Sequence, residues 1–181
     1  SYFEKLDIFG EGVIDIPFSP EDEITTHLKE LVDHPGANQI ESFANGKVKL
    51  VSVKAKKKGK LVGRELKGIK DDMPDIDAFV ASIYRKGSPF IPSGDTIIKE
   101  NDEVYFISSE SNIGPIVDEF RDHEEQYSRI MIVGGGKVGF SLAKDIEKDY
   151  NVKLIDSNNE QCKVLSKELE KTIVLNGSAT D

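Results

Sequence analysis

Six consecutive residues, Gly134, Gly135, Gly136, Lys137, Val138 and Gly139, followed 17 positions after the last glycine by Asp156, carry the clearest chemistry in this sequence. They follow the apolar run RIMIV, residues 129–133. The G-x-G-x-x-G spacing behind such a run predicts a parallel strand turning sharply into a helix, with free backbone N–H groups facing a pyrophosphate. Gly134 permits the tight turn, Gly136 lets the backbone approach phosphates with no Cβ in the way, and Gly139 lets the helix pack closely on the strand. Asp156 ends a second apolar run, where a carboxylate accepts both hydroxyls of an adenosine ribose, and Ser157 follows it as a further candidate contact. An acid there disfavours the extra phosphate of NADP, and no arginine follows to accommodate one. NAD or another adenine nucleotide is the expected guest. Lys137 reads either as a neutraliser of phosphate charge or as an exposed first-turn lysine.

Positioning that loop requires a βαβαβ pattern, and residues 129–181 supply it: RIMIV, a helix with Val138, Leu142, Ala143 and Ile146, then VKLI, a helix with Cys162, Leu165 and Leu169, then TIVLNG. Short apolar strands alternating with such helices imply parallel pairing and right-handed crossovers. Ser178 and Thr180 come after the third strand, either meeting the ligand or capping a following helix. Three strands make only the first mononucleotide-binding half, which leaves a sheet edge and a face uncovered. The expectation is a piece of a longer protein, or a sheet completed by another chain.

Two further segments precede this half-domain. Residues 1–37 hold a strand-like GVIDIPF and a helical EDEITTHLKELVDH whose Ile24, Leu28, Leu31 and Val32 recur at helical spacing, with acids at its start and Pro35-Gly36 at its end. Residues 38–122 read as a small α+β unit. Strand VKLVSVKA leads to a short helix over LVGRELKGI, then DAFVASIYR, a turn at Lys86-Gly87-Ser88-Pro89, and strands punctuated by Gly94-Asp95 and Asn101-Asp102. It closes with a helix burying Ile113, Ile116, Val117 and Phe120, with Pro115 expected in the first turn. Residues 123–128 read as a linker. The fold class is thus α/β and α+β.

A formal net charge of −9 argues against nucleic acid or anionic lipid as a nonspecific partner. The basic run Lys54, Lys56, Lys57, Lys58 and Lys60 reads first as a solvated loop, with docking on an acidic partner as its alternative. The single Cys162 suits a reducing compartment and a core position. No run is long enough to span a membrane, and the first residues lack a secretory leader's pattern. His27, His34 and His123 have no metal-ligand spacing, and the acids Asp71, Asp72, Asp75 and Asp77 lack a calcium-loop pattern, so no metal is expected.

The stretches HPGANQIESFANGKVKLVSVKA, DAFVASIYRKGSPFIPSGDTIIKENDEVYFI and RIMIVGGGKVGFSLAKDIEKDYNVKLIDSNNEQCKVLSKELEKTIVLNG resemble RCK domains, which regulate potassium conductance, and most closely the tandem TrkA-type regulators of bacterial potassium uptake. The resemblance covers nearly the whole chain. It implies the tail of a first RCK N-terminal domain, an RCK C-terminal domain, and the start of a second Rossmann-like RCK N-terminal domain. It also implies NAD(H), and often ATP or ADP, in the glycine-loop site, with Gly134, Gly136 and Gly139 as phosphate loop, Asp156 as ribose acid, and Gly177 and Ser178 near the adenine. Such proteins form homo-oligomeric rings beneath a potassium-translocating membrane subunit, on the cytoplasmic face, and respond to nucleotides by conformational change rather than catalysis. The rival readings are a fragment of an NAD-dependent oxidoreductase, which needs an acid–base residue near the nicotinamide, and a dimerisation module without ligand.

Overall fold

Hydrophobic residues alternate along the central part of the chain and run in short continuous blocks near its end, and the computed structural model shows the two sheets this implies. It describes residues 18–74, 76–121 and 127–178. The stretches SYFEKLDIF and most of GVIDIPF, the linker over 122–126, His123, Asp75 and Thr180 lie outside the described residues. Two compact units divide the chain: His27–Ser128 forms one, and Arg129–Asp181 with residues before His27 forms the other.

In the central unit, β1 (Ala37–Phe43), β2 (Val48–Lys54), β3 (Ala78–Arg85), β4 (Ser88–Phe90) and β5 (Glu103–Ser108) form an antiparallel sheet in the order β1-β2-β5-β3-β4. Val51, Val53, Ile83, Val104 and Phe106 point to one face, where α3 (Glu110–Phe120) lays Ile113, Ile116, Val117 and Phe120. The rings of Phe106 and Phe120 stack at 6.4 Å. These are the four helix residues their spacing picked out. β1 escaped the sequence reading because only Ile40 of its seven residues is buried, which leaves no alternation to detect.

Two local expectations fail for backbone reasons. LVGRELKGI does not form one helix: its backbone pairs instead with residues 96–98, Gly63 N–H donating to Ile98 C=O (2.8 Å) and Leu66 N–H to Thr96 C=O (3.0 Å). Only a 3-10 turn over Leu66–Gly68 and the short α2 (Ile69–Asp72) remain helical. Pro115 sits in the second turn of α3, not the first, since the helix begins at Glu110. Its missing N–H removes the donor that would otherwise bond the Ser111 carbonyl four residues back, and both residues are exposed, where solvent has access to that group.

The lysine run has a structural task. Lys56 N–H donates to Phe120 C=O (2.9 Å) and Leu61 N–H to Glu119 C=O (3.2 Å), so the backbone of the loop closes the carbonyl end of α3. Lys60 adds an ion pair with Glu119 at 2.7 Å. Helix α1 (Pro20–Asp33) carries acids in its first turn and ends before Gly36 at φ +105°. Leu31 packs on the central core as its spacing predicts, whereas Ile24 is half exposed and Thr25 is the buried residue. From the same helix Glu30 pairs with buried Lys49 at 2.5 Å, joined by Glu110 at 3.3 Å. Burial disfavours that ammonium's charge, but the two carboxylates outweigh it and raise its pKa.

In the C-terminal unit, β6 (Arg129–Val133), β7 (Asn151–Asp156) and β8 (Ile173–Asn176) are parallel in that order, linked by α4 (Lys137–Ile146) and α5 (Asn159–Glu168). Ile132, Leu142, Ala143, Ile146, Val152, Leu154, Cys162, Leu165 and Leu169 are buried. The opening strand exposes Met131 and Val133 by 61% and 60%, and Ile173 and Leu175 of β8 are likewise exposed, the uncovered face that three strands alone imply. Two right-handed crossovers in one direction put both helices on one face, and among the described residues no helix of this crossover pattern covers the other.

Glu147, 4% exposed at the end of α4, clasps the loop into β8. Its carboxylate accepts from the N–H groups of Glu170 (3.2 Å), Lys171 (2.9 Å) and Thr172 (3.0 Å) and from the Thr172 hydroxyl (2.9 Å). Burial pushes its pKa up, but the donors win and hold it below the usual glutamate value. Glu147→Ala should therefore cost about 3 kcal/mol, because four partly buried donors lose one charged acceptor. Denaturant titration of the two proteins measures it, and an unchanged midpoint would show that water replaces the clasp.

Candidate functional site

A parallel β-strand followed tightly by a helix leaves unpaired N–H groups at the helix start, and the chain has that arrangement between β6 and α4. Gly134 takes φ +98°, a left-handed turn, and its N–H donates to Ile155 C=O at 2.8 Å, which fixes the loop to β7. Gly136 is the N-cap of α4 and, being glycine, has no side chain of its own to cap it. Among the described residues a Cβ at Gly136 would meet nothing within 4 Å, so there is room for a ligand atom beside the helix's positive end. A Cβ at Gly139 would lie 2.0 Å from the Gly134 carbonyl oxygen, which is the close helix–strand approach the spacing foretells.

Asp156 lies beside this opening. Its Oδ2 accepts from Gly135 N–H at 2.6 Å and its Oδ1 from Asn158 N–H at 2.7 Å. These two donors hold its carboxyl below the usual aspartate pKa, and the carboxylate stays ionised at neutral pH. Each oxygen keeps a second lone pair for a sugar hydroxyl. Gly177 N–H donates to the Asp156 carbonyl at 3.0 Å, which brings the end of β8 to the same edge.

The structure places the remaining expected residues unequally. Lys137 is exposed and pairs with Glu21 at 3.2 Å; Val138 is half-buried, while Ser157 and Ser178 are exposed. Gly135 faces inward rather than outward: a Cβ there would meet Leu165 Cδ1 at 2.3 Å, so this glycine serves packing. Three residues of the site were not foreseen. Gln161 Nε2 donates to Gly135 C=O at 2.7 Å; Asn158 caps α5 by accepting from Glu160 and Gln161 N–H; Asn176 Nδ2 donates to the carbonyls of Asp156 (3.1 Å) and Ser157 (3.2 Å). Asn158 is legible as a cap before a helical run. Gln161 and Asn176 carry no signal without the fold, because their partners are backbone atoms.

A hollow of about 340 Å³ lined by Arg129, Asn151, Lys153, Lys171 and Ile173 belongs to the opposite end of this sheet, away from the strand termini where open parallel sheets bind ligands. Among the described residues, no group of three or more His, Cys, Asp or Glu could hold a metal ion, and no helix is long and apolar enough to cross a membrane.

Family models match both units: the TrkA-C domain over residues 50–121 and the TrkA-N domain over residues 130–181. The Trk system potassium uptake protein TrkA of Halomonas elongata is 46% identical over 182 residues, covering 99% of this chain and 40% of that protein. The protein of the same name from Vibrio alginolyticus is 46% identical over 180 residues, with 98% and 39% covered. This chain belongs to the TrkA family. It spans about two fifths of the length of these TrkA relatives. The solved GsuK channel, 17% identical, aligns over 90% of this chain and 28% of its own with a TM-score of 0.50, a likeness of fold. The central unit is an RCK C-terminal domain and the C-terminal unit is the first βαβαβ half of a Rossmann-like RCK N-terminal domain.

Proposed function

We propose that the N-terminus of α4 and Asp156 hold the diphosphate and the adenosine ribose of NAD(H), with ATP or ADP competing for the same crevice. The observation that carries this reading is the helix start at a glycine N-cap with room beside it among the described residues, and an ionised carboxylate 2.6 Å from the neighbouring loop amide. Gly134, Gly136 and Gly139 shape the loop; the N–H groups of Gly136, Lys137 and Val138 meet phosphate oxygens; Gly177 and Ser178 lie on the adenine side and Ser157 beside the ribose. Gly135 acts from behind, through its packing. The nucleotide is an effector in this reading, and no residue here is catalytic.

The relatives named as Trk potassium uptake proteins support the wider role. The whole protein is a homo-oligomeric, cytoplasmic regulatory subunit on the inner face of the membrane, gating a Trk-type potassium-translocating subunit. Nucleotides that bind two arrangements of the assembly unequally shift its population, and the membrane partner responds.

Gly136→Ala tests the site. Gly136 has φ −68° and ψ −172°, a conformation alanine adopts freely, and the new methyl enters empty space. The melting temperature should stay within about 1–2 °C, because no native contact changes. Affinity for NADH, measured by calorimetry on the complete protein, should fall by roughly ten- to a hundredfold, since a methyl forced into a filled site costs about 1–3 kcal/mol. Unaltered NADH affinity would place the nucleotide elsewhere. Potassium uptake that ignores NADH and ATP in cells carrying the whole system would defeat the regulatory part alone.

A further inference from the structure

We infer that Gln161 is a positioning residue that presets the phosphate loop, turning the Gly136 N–H outward before any ligand arrives. The inference rests on the nucleotide reading of the same crevice and adds the device that prepares it. Two successive peptide groups of the loop are each gripped on one side. The 134–135 group has its N–H on Asp156 Oδ2 at 2.6 Å, and the 135–136 group has its C=O on Gln161 Nε2 at 2.7 Å. No described peptide bond is cis, so in each group the C=O and N–H point in opposite directions. Gripping the Gly135 carbonyl from the α5 side therefore aims the Gly136 N–H away from α5, and the glycine itself, with nothing described within 4 Å of where a Cβ would stand, leaves room beside that donor.

A loop with three consecutive glycines has exceptional backbone freedom, and without such a grip that peptide could rotate and swing its N–H away from the ligand. Gln161 is itself held. Its own N–H donates to the Asn158 cap at 3.2 Å, and Leu165, one turn further along α5, packs against Gly135. The first turn of α5 thus acts as a rigid backing for the loop. The free energy of orienting one donor is spent in folding rather than in binding, which is how preorganised sites gain affinity.

The test uses the complete protein, titrated calorimetrically with NADH and, separately, with adenosine, which has no phosphate. Gln161→Leu removes the donor, and Gln161→Glu keeps the size while replacing donor by acceptor in a first helical turn that tolerates an acid. Both variants should bind NADH about three- to tenfold more weakly, the worth of one neutral hydrogen bond, while their affinity for adenosine stays at the unaltered protein's value. A general loosening of the fold would weaken both ligands together and would overturn the inference, as would NADH binding that neither substitution changes. An unaltered protein that binds neither NADH nor adenosine would instead bring down the nucleotide reading, and the inference with it.

Discussion

Arg85→Met should destabilise the central unit by about 3–5 kcal/mol, the usual consequence of stripping one partner from a buried ion pair. Arg85 Nε donates to Asp102 Oδ1 at 2.8 Å and its Nη2 to Oδ2 at 2.7 Å, a two-point contact in which the aspartate side chain is only 1% exposed. The same guanidinium reaches Ile97 C=O at 2.8 Å and lies 5.2 Å from the centre of the Phe90 ring. Asp102 in turn accepts from Lys99 N–H at 2.8 Å, so one buried carboxylate ties β3 to the turn that enters β5. Methionine fills the volume but leaves the carboxylate with a single donor. Amide hydrogen exchange in β3 and β5 should quicken by at least a hundredfold, roughly what such a loss implies if these strands open with the unit. Exchange rates within a factor of about three would mean that Arg85 contributes packing and little else.

The pH dependence follows from the same pair. Burial alone would raise the Asp102 carboxyl, but Arg85 and the Lys99 N–H outweigh it and hold its folded pKa below the ordinary aspartate value. A depressed folded pKa contributes stability that is complete above the unfolded value, about 3.9, and is lost as pH falls through the folded one. The intact protein should therefore lose this increment only below about pH 4. Arg85→Met removes the cation and lets burial dominate, so its stability should begin to decline at a higher pH than that of the intact protein. Parallel acid titrations of the two would disprove the assignment.

How much of this was legible beforehand depends on which partner a residue uses. Gly134, Gly136, Gly139 and Asp156 were readable because a strand, a tight turn and a helix impose fixed spacing, and that spacing is itself a sequence pattern. The α3 stripe of Ile113, Ile116, Val117 and Phe120 was readable for the same reason, and all four are buried. LVGRELKGI was misread because helical composition cannot reveal that residues 96–98 compete for its backbone. Gln161, Asn176 and Glu147 were invisible because each bonds main-chain atoms, which every sequence supplies equally. Gly135 was expected among the nucleotide-binding residues at a position where the motif allows any residue, yet Leu165 and Leu154 crowd the place its Cβ would take. Packing around the motif is a property of the fold.

Gly139→Ala is the strongest expected lesion in the C-terminal unit, and it separates two glycines that the motif treats alike. The added methyl would stand 2.0 Å from Gly134 O and 3.1 Å from Gly134 C, with Ile132 Cγ2 at 3.4 Å. Backbone cannot yield there as a side-chain tip would. Gly134 is anchored through its N–H to Ile155, and the 134–135 peptide is gripped by Asp156, which turns the Gly134 carbonyl toward α4. Relief requires α4 to lift from β6, exposing Leu142, Ala143 and Ile146, all buried in the native fold. A cost of about 3 kcal/mol or more follows, at the upper end for overpacking because the obstacle is main chain. Urea denaturation followed by hydrogen exchange in β6 and β7 should show that loss in the C-terminal unit and leave β2 and β5 protected as before. Gly136→Ala in the same assay should leave both units intact, its effect being confined to the weaker NADH binding that calorimetry reads. Should Gly139→Ala melt with the unaltered protein, α4 would have to sit farther from β6 than the geometry of this loop allows, and the positive helix pole would not face the crevice assigned to the phosphates.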